Sequence, residues 1–269
     1  MLNKSQLRPI RIDNLVRLGR DNDGGYIIPK IILDKCDGLL SYGINKDWSF
    51  EKDISKYDNI LNIHCYDHTL TISSLFQFSI KSLFISIFRL LTLDMIRFKK
   101  SFEGITSIPD YFSFFQKNII HHKKRISDKN NLGNISILET IEKIKLKGSN
   151  KIFIKMDIEG DEFLSLKEYI KFNNSVLGFA IEFHDINNRS KEFNDLIKKL
   201  KKNYLIAHIH GNNYSKVDQE SGLPSSVEIT LINKKLIKEP TVLSNYNYPI
   251  DGLDQPNKHS RPDIILKFK

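Results

Sequence analysis

Two stretches decide the fold: KIFIKMDIEGDEF at residues 151–163 and VLGFAIEFHD at residues 176–185. Each opens with an apolar run of strand length that lacks the polar alternation of a half-exposed strand. Each then ends abruptly in ionisable residues. Runs apolar on both sides are the mark of strands covered by helices on both faces of a parallel sheet. Glu162 to Ile170 has helical character, so the pair reads strand, helix, strand.

The same alternation continues outward. Upstream, GLLSY (38–42) ends in Gly43 and ILNIHCY (60–66) ends in Asp67. A short third strand is expected at His122 to Ile126. Ile137 to Leu146 has helical spacing, with Ser136 as N-cap and Glu139 at the third helical position. Downstream, Lys191 to Lys202 is an amphipathic helix, YLIAHI (204–209) is a strand ending in His210, and VEITLI (227–232) is another strand. Right-handed crossovers make this a doubly wound α/β sheet. No repeat or linker interrupts residues 1–269, so one domain is expected. The tail, about 238–269, is rich in Pro and Asn and is expected to be mostly loop, closing over one end of the sheet.

Of the 269 residues, 40% are hydrophobic and 27% charged, enough for a core and too apolar for a disordered chain. The net charge of +9 suits nucleic acid, a membrane surface or an anionic substrate. An abundance of Lys, Ile and Asn, as an AT-rich coding sequence produces, explains it equally. No basic segment alternates with aromatics as a single-strand binding groove requires, so no nucleic-acid partner is expected. Cys36 and Cys65 form no disulfide framework and read as small core residues. Met1 to Ile12 lacks an apolar signal core, which predicts a cytoplasmic protein. The oligomeric state is not legible.

Residues 72–98, ISSLFQFSIKSLFISIFRLLTLDMIRF, stand apart. Lys81, Arg89 and Asp94 break the run, so amphipathic helices are expected rather than a membrane span. They read either as an insertion (about 70–115) packed on the domain or as an interfacial face meeting lipid or a lipid-linked substrate at the inner membrane.

In an open parallel sheet, ligands bind outside the carboxyl ends of the strands at the switch point. Five strand ends here carry acids, His or Gly. Gly43 permits a ligand to approach the backbone, or a tight turn; no GxGxxG follows, which disfavours a nicotinamide oxidoreductase. An acid at Asp67 can accept both hydroxyls of an adenosine ribose, and a helix N-cap before Thr69 accounts for it as well. Asp23-Gly24-Gly25-Tyr26 is either a hairpin turn or a set of amides facing a carboxylate.

Asp157, Glu159, Asp161 and Glu162 repel one another unless donors or a cation compensate. The helix dipole accounts for Asp161 and Glu162. That leaves Asp157 and Glu159 for a cofactor amino group, a substrate hydroxyl or a divalent cation. His184, with Glu182 on the same face, suits a general base near neutral pH, or a structural His bonded to a loop. His208 and His210 form the second candidate pair. A metal site joining them to Asp157 and His184 lacks HExxH-like spacing, and none is predicted.

VRLGRDNDGGYIIP (16–29), SYGINKDWSFEKD (41–53), YDHT (66–69), IKMDIEGDEF (154–163) and IEFHDIN (181–187) together resemble the FkbM-type methyltransferases, closest to bacterial members associated with capsule and other glycan pathways. The resemblance covers roughly residues 16 to 211. It implies a class I methyltransferase fold, Rossmann-like and mostly parallel with an antiparallel last strand, here with a helical insertion after the second strand. It also implies S-adenosylmethionine as cofactor and O-methylation of a sugar hydroxyl on a nucleotide-linked sugar or glycan. The expected cofactor contacts are Asp23, Gly24, Gly25, Tyr26, Tyr42, Gly43, Asp67, His68, Asp157 and Glu159, with His184, Asp157 and His210 as catalytic candidates. The first-strand segment, with Ile44, Asn45 and Lys46 after Gly43, departs from the GxGxG of many methyltransferases. A nucleic-acid methyltransferase, or a non-catalytic sugar- or nucleotide-binding domain on the same fold, remains the alternative.

Overall fold

The computed structural model describes residues 1–93, 95–128, 131–169, 175–238 and 240–268. Asp94 and the expected helix end at Ile170 lie outside them. The chain begins with a hairpin, β1 (Leu15–Leu18) and β2 (Tyr26–Pro29), whose strands pair antiparallel with Leu18 opposite Tyr26. Then follow α1 (Lys30–Lys35), β3 (Gly38–Tyr42), α2 (Ser49–Ile54) and β4 (Asn62–Tyr66). The insertion comprises α3 (Ile72–Leu91), α4 (Met95–Ile105) and α5 (Ser107–Phe114). Beyond it lie β5 (Ile119–His122), β6 (Arg125–Ile126), β7 (Asn134–Ile135), α6 (Ile137–Leu146), β8 (Ile152–Met156) and α7 (Glu162–Tyr169). The chain closes with β9 (Val176–Phe183), α8 (Ser190–Leu200), β10 (Tyr204–Gly211) and β11 (Val227–Asn233).

Among the described residues the central sheet has seven strands in the order β10-β11-β9-β8-β3-β4-β5. The pairs from β9 through to β5 are parallel, and β11 runs antiparallel to both β9 and β10. With the first sheet strand central and the last wedged antiparallel beside the edge strand, this is the class I methyltransferase topology. The expectation of a mostly parallel, doubly wound sheet holds.

The strands are buried on both faces because alternate side chains enter opposite layers. In β8, Ile152, Ile154 and Met156 join the layer built by α6, α7 and α8, while Phe153 enters the layer of α1, α2 and the β1–β2 hairpin. Each such side chain contributes about 1.5–3 kcal/mol by leaving water. Cys36 and Cys65 lie in that second layer, buried as small core residues. Ser136 Oγ caps α6 by accepting from Glu139 N–H at 3.3 Å.

Two expectations need correction. The third strand is residues 119–122, shared with the expected segment only at His122, and Arg125–Ile126 instead pairs with Asn134–Ile135. That edge strand is only half-buried, so it lacks the apolar signature of its neighbours. Second, β10 continues to Gly211, so His210 lies within the strand opposite Glu228 rather than at its end. The expected helical insertion is present, and by length and composition alone α3 is long and apolar enough to cross a membrane, with 17% of its most apolar stretch buried inside the protein.

Candidate active site

The order reverses at β3, whose partners are β4 and β8, so the switch point lies outside Gly43, Asp67 and Asp157. Two clefts meet there. One, of about 400 Å³, is lined by Gly43, Tyr66, Asp67, His68, Lys124, Arg125, Asp157 and Ile158 among others. The second, of about 740 Å³, runs past Arg20, Asp23, Gly24, Lys155 and the α3 residues Gln77, Phe78 and Lys81. Gly43, Asn45, Asp157 and Glu159 belong to both and form the partition.

Gly43 is required for a reason the sequence reading did not reach. Its φ is +73°, and a Cβ built there would lie 1.6 Å from the carbonyl oxygen of Asp157. The glycine lets two strand ends converge, backbone against backbone. Lys155, buried on β8, reinforces the junction by donating from Nζ to the Gly43 carbonyl at 2.7 Å. Glu51, fully buried on α2, accepts from Ser41 Oγ. Burial raises the Glu51 carboxyl, against the opposing charge of Lys155.

Asp67 organises the loop after β4. Its Oδ1 accepts from Thr69 N–H at 2.7 Å, Thr69 Oγ1 at 2.6 Å and Leu70 N–H at 3.2 Å, and Oδ2 accepts from Asn45 N–H at 2.7 Å. Burial alone would raise this carboxyl; the donated bonds outweigh it and hold it below the ordinary range. It is not a helix N-cap, since Thr71 caps α3 in a reciprocal pair with Ser74. Oδ1 is saturated, which leaves Oδ2 for a ligand hydroxyl.

His184 sits in a nest of carboxylates. Nδ1–H donates to Glu162 Oε1 at 3.1 Å, and Nε2 lies 3.5 Å from Glu182, 3.7 Å from Glu159 and 3.8 Å from Asp157. Burial alone would lower the imidazole; the Glu162 bond and the surrounding carboxylates prevail and lift it to about 9. The nest thus favours the protonated ring, which must lose that proton before it can act as the expected neutral base. Burial raises Asp157 to about 6 against the pull of Lys155 and His184, and raises Glu182 well above the carboxylate range. Asp157 Oδ1 accepts no hydrogen bond among the described residues. One ligand atom from each of Asp157, Glu182 and His184 falls within 4.8 Å of the others, a set able to hold a divalent ion once His184 loses its proton.

Glu162 is the residue the sequence reading missed. Treated there as a dipole-favoured helix residue, it is fully buried, and its Oε1 also accepts from the N–H groups of Ile158 and Gly160. Its signal was its place opening a helix directly after a loop of acids.

The remaining candidates divide. Asp23, Gly24, His68 and Glu159 line the clefts. Gly25 packs against Arg17, Tyr26 is buried behind Lys155, and Tyr42 is buried with its hydroxyl 2.6 Å from Thr140 Oγ1. These three support the site from outside the cleft lining; Asp23, Gly24 and Gly25 lie in the loop of the β1–β2 hairpin, and Tyr26 opens β2. His210 is not in the cleft at all. Its Nδ1 meets Glu228 at 3.3 Å and its Nε2 meets Asp263 at 3.0 Å, while His208 meets Asp254 at 3.0 Å. Both histidines clamp the tail onto the outer strands, so His210 is structural.

No family model matches the chain, and no curated protein matches it by sequence. Among solved structures, the chain is similar to TrmK of M. capricolum in complex with S-adenosyl-homocysteine, at 11% identity and TM-score 0.36, covering 76% of this chain and 66% of that one. It is also similar to the 23S rRNA methyltransferase ErmE (7% identity, TM-score 0.37, 78% of this chain and 69% of that). A third is a dimethyladenosine transferase from Plasmodium falciparum (10% identity, TM-score 0.34, 77% of this chain and 60% of that). The chain thus spans just under two thirds of TrmK. These likenesses are too distant to bear on substrate.

Proposed function

We propose that the protein is an S-adenosylmethionine-dependent methyltransferase acting on a sugar hydroxyl, of a nucleotide-linked sugar or glycan in surface-polysaccharide synthesis. The observation that carries the reading is the convergence of Gly43, Asp67 and Asp157 at the switch point, beside a carboxylate nest open to two clefts. The cofactor fits the residues present: Asp67 lines the first cleft, with Oδ2 accepting one hydrogen bond and able to take a ribose hydroxyl, and Asp157, whose Oδ1 accepts no hydrogen bond among the described residues, adds negative charge for a sulfonium. When bound, the cofactor supplies an activated methyl group.

The chain's own residues orient and deprotonate. Asp23, Arg20 and Lys155 line the second cleft, where an acceptor would lie. Arg20 is paired there with Asp47 at 2.6 Å and Lys155 with the Gly43 carbonyl, so phosphates of a nucleotide-linked sugar would meet Lys46 and Lys81 of the same cleft. His184 is held in one orientation by Glu162, with Nε2 toward Asp157. A positive charge in the same nest lowers the imidazole from about 9 toward the range in which it accepts a proton. Orientation and general-base assistance are the two sources of acceleration, the latter about 10²–10⁴-fold.

The test is incubation with labelled S-adenosylmethionine and a panel of nucleotide sugars, read by mass spectrometry for one added methyl group. Absence of cofactor heat in calorimetry would sink the reading; cofactor heat without transfer to any sugar would sink its sugar half. A second reading, a nucleic-acid methyltransferase, draws on Lys124 and Arg125 at the mouth of the first cleft and the net charge of +9. It predicts RNA or DNA binding that weakens steeply with salt.

A further inference from the structure

We propose that the α3–α4 hairpin is a membrane-docking element that lies in the headgroup region of an anionic bilayer. Its polarity is inverted relative to a helix packed on a soluble domain. Leu75 anchors the start of α3 in the core, but beyond it the buried positions are Ser82 and Ser86, while Phe76, Phe84, Phe88 and Leu91 are 57%, 67%, 59% and 78% exposed. The α3–α4 seam is built of small groups: Ser86 Oγ donates to Ser101 Oγ at 2.8 Å, and beside it Ser79 of α3 meets Ser107 of α5 at 2.9 Å. Gly104 admits Ser82, whose Oγ would lie 2.1 Å from a Cβ built there. In water a helix turns its apolar stripe inward. Small residues inside and large apolar ones outside is the arrangement that lipid selects.

Charge chooses among the occupants of this face. Between residues 72 and 105 the sequence places Lys81, Arg89, Arg97, Lys99 and Lys100 against Asp94 and Glu103. Two copies of so cationic a hairpin repel, whereas an anionic leaflet attracts it. The charges on α4 also keep the pair out of the hydrocarbon, so the hairpin lies along the interface although α3 alone has the length to cross. Because Phe78, Lys81 and Ile85 of α3 wall the second cleft, docking sets that cleft at the bilayer surface. Resting on the methyltransferase reading, this adds that the acceptor is presented there.

The full chain should co-sediment with vesicles of phosphatidylcholine mixed with phosphatidylglycerol, and bind phosphatidylcholine alone more weakly, the difference shrinking with added salt. The exposed positions permit a triple variant, Phe84→Glu, Phe88→Glu and Leu91→Glu, that should fold normally and partition about a hundredfold less or lower. Wild-type protein that stays in the supernatant with anionic vesicles, or a triple variant that sediments like the wild type, overturns the proposal. So does a vesicle-free dimer in ultracentrifugation that the same substitutions dissolve, which would make a second copy the occupant. Calorimetry with S-adenosylmethionine on both proteins keeps the two readings apart: sedimentation without cofactor heat fails the enzyme, and heat without sedimentation fails the docking.

Discussion

Glu162 Oε1 lies 3.1 Å from His184 Nδ1 and accepts backbone N–H groups of Ile158 and Gly160 at 3.2 and 3.0 Å. One buried carboxylate thus fixes both the ring and the loop that carries Asp157. Glu162→Gln should lower the His184 pKa from about 9 toward its ordinary value, read by imidazole NMR titration, and cost about 1–3 kcal/mol in chemical denaturation. The His184 contribution is fully present below pH 6.5 and is lost as pH rises through about 9, so the variant should lose that alkaline decline. An unchanged titration would remove Glu162 from the site.

Gly43→Ala should be severely damaging. The new methyl meets the Asp157 carbonyl in a backbone conformation that L side chains resist. Since the methyl is fixed to Cα and the atom it meets is backbone, relief requires β3 and β8 to part at their carboxyl ends. A loss of about 3 kcal/mol or more, with cofactor heat abolished, is expected; a variant within about 0.5 kcal/mol of wild type would contradict the packing.

Asp157 supplies a pH signature. Its carboxyl ionises around pH 6, so it loses its charge as pH falls through that value. Affinity for a cationic cofactor should weaken on acidification by about tenfold, equivalent to ~1.4 kcal/mol. Asp157→Asn should flatten that dependence in a calorimetric pH series, and an identical slope in both proteins would assign the effect elsewhere.

His210 should behave as a clamp. Burial alone would lower it, but Asp263 and Glu228 hold it up at about 10, against an ordinary 6.5. Its stabilisation is complete below pH 6.5 and disappears as pH rises through about 10. The thermal midpoint should fall across that window, and His210→Gln should blunt the fall while exposing residues 240–268 to limited proteolysis. A variant whose tail resists protease as well as the wild type would contradict the clamp.

The strands legible in the sequence were those with helices on both faces. GLLSY and VLGFAIEF match β3 and β9 residue for residue, because burial on two sides leaves no polar alternation to misread. The third strand was misplaced because an edge strand half-open to water carries no such mark. Gly43, Asp67 and Asp157 could be placed at one site because strand ends in a parallel sheet share an edge. His210 could not be excluded from it, since its partners Asp263 and Glu228 lie 53 and 18 residues away in sequence. The protonation of His184 was equally hidden: it depends on four carboxylates whose distances only the folded loop defines.

The wedging of β11 between β9 and β10 has a consequence for synthesis. On a ribosome, β10 emerges before the strand that joins it to the sheet, so its backbone groups have no ladder to enter until residue 233 has left the exit tunnel. The half of the sheet from β5 to β9 needs no such wait. Nascent chains stalled before β11 should therefore carry a protease-resistant parallel core with β10 trailing from it, and should be the species that chaperones retain.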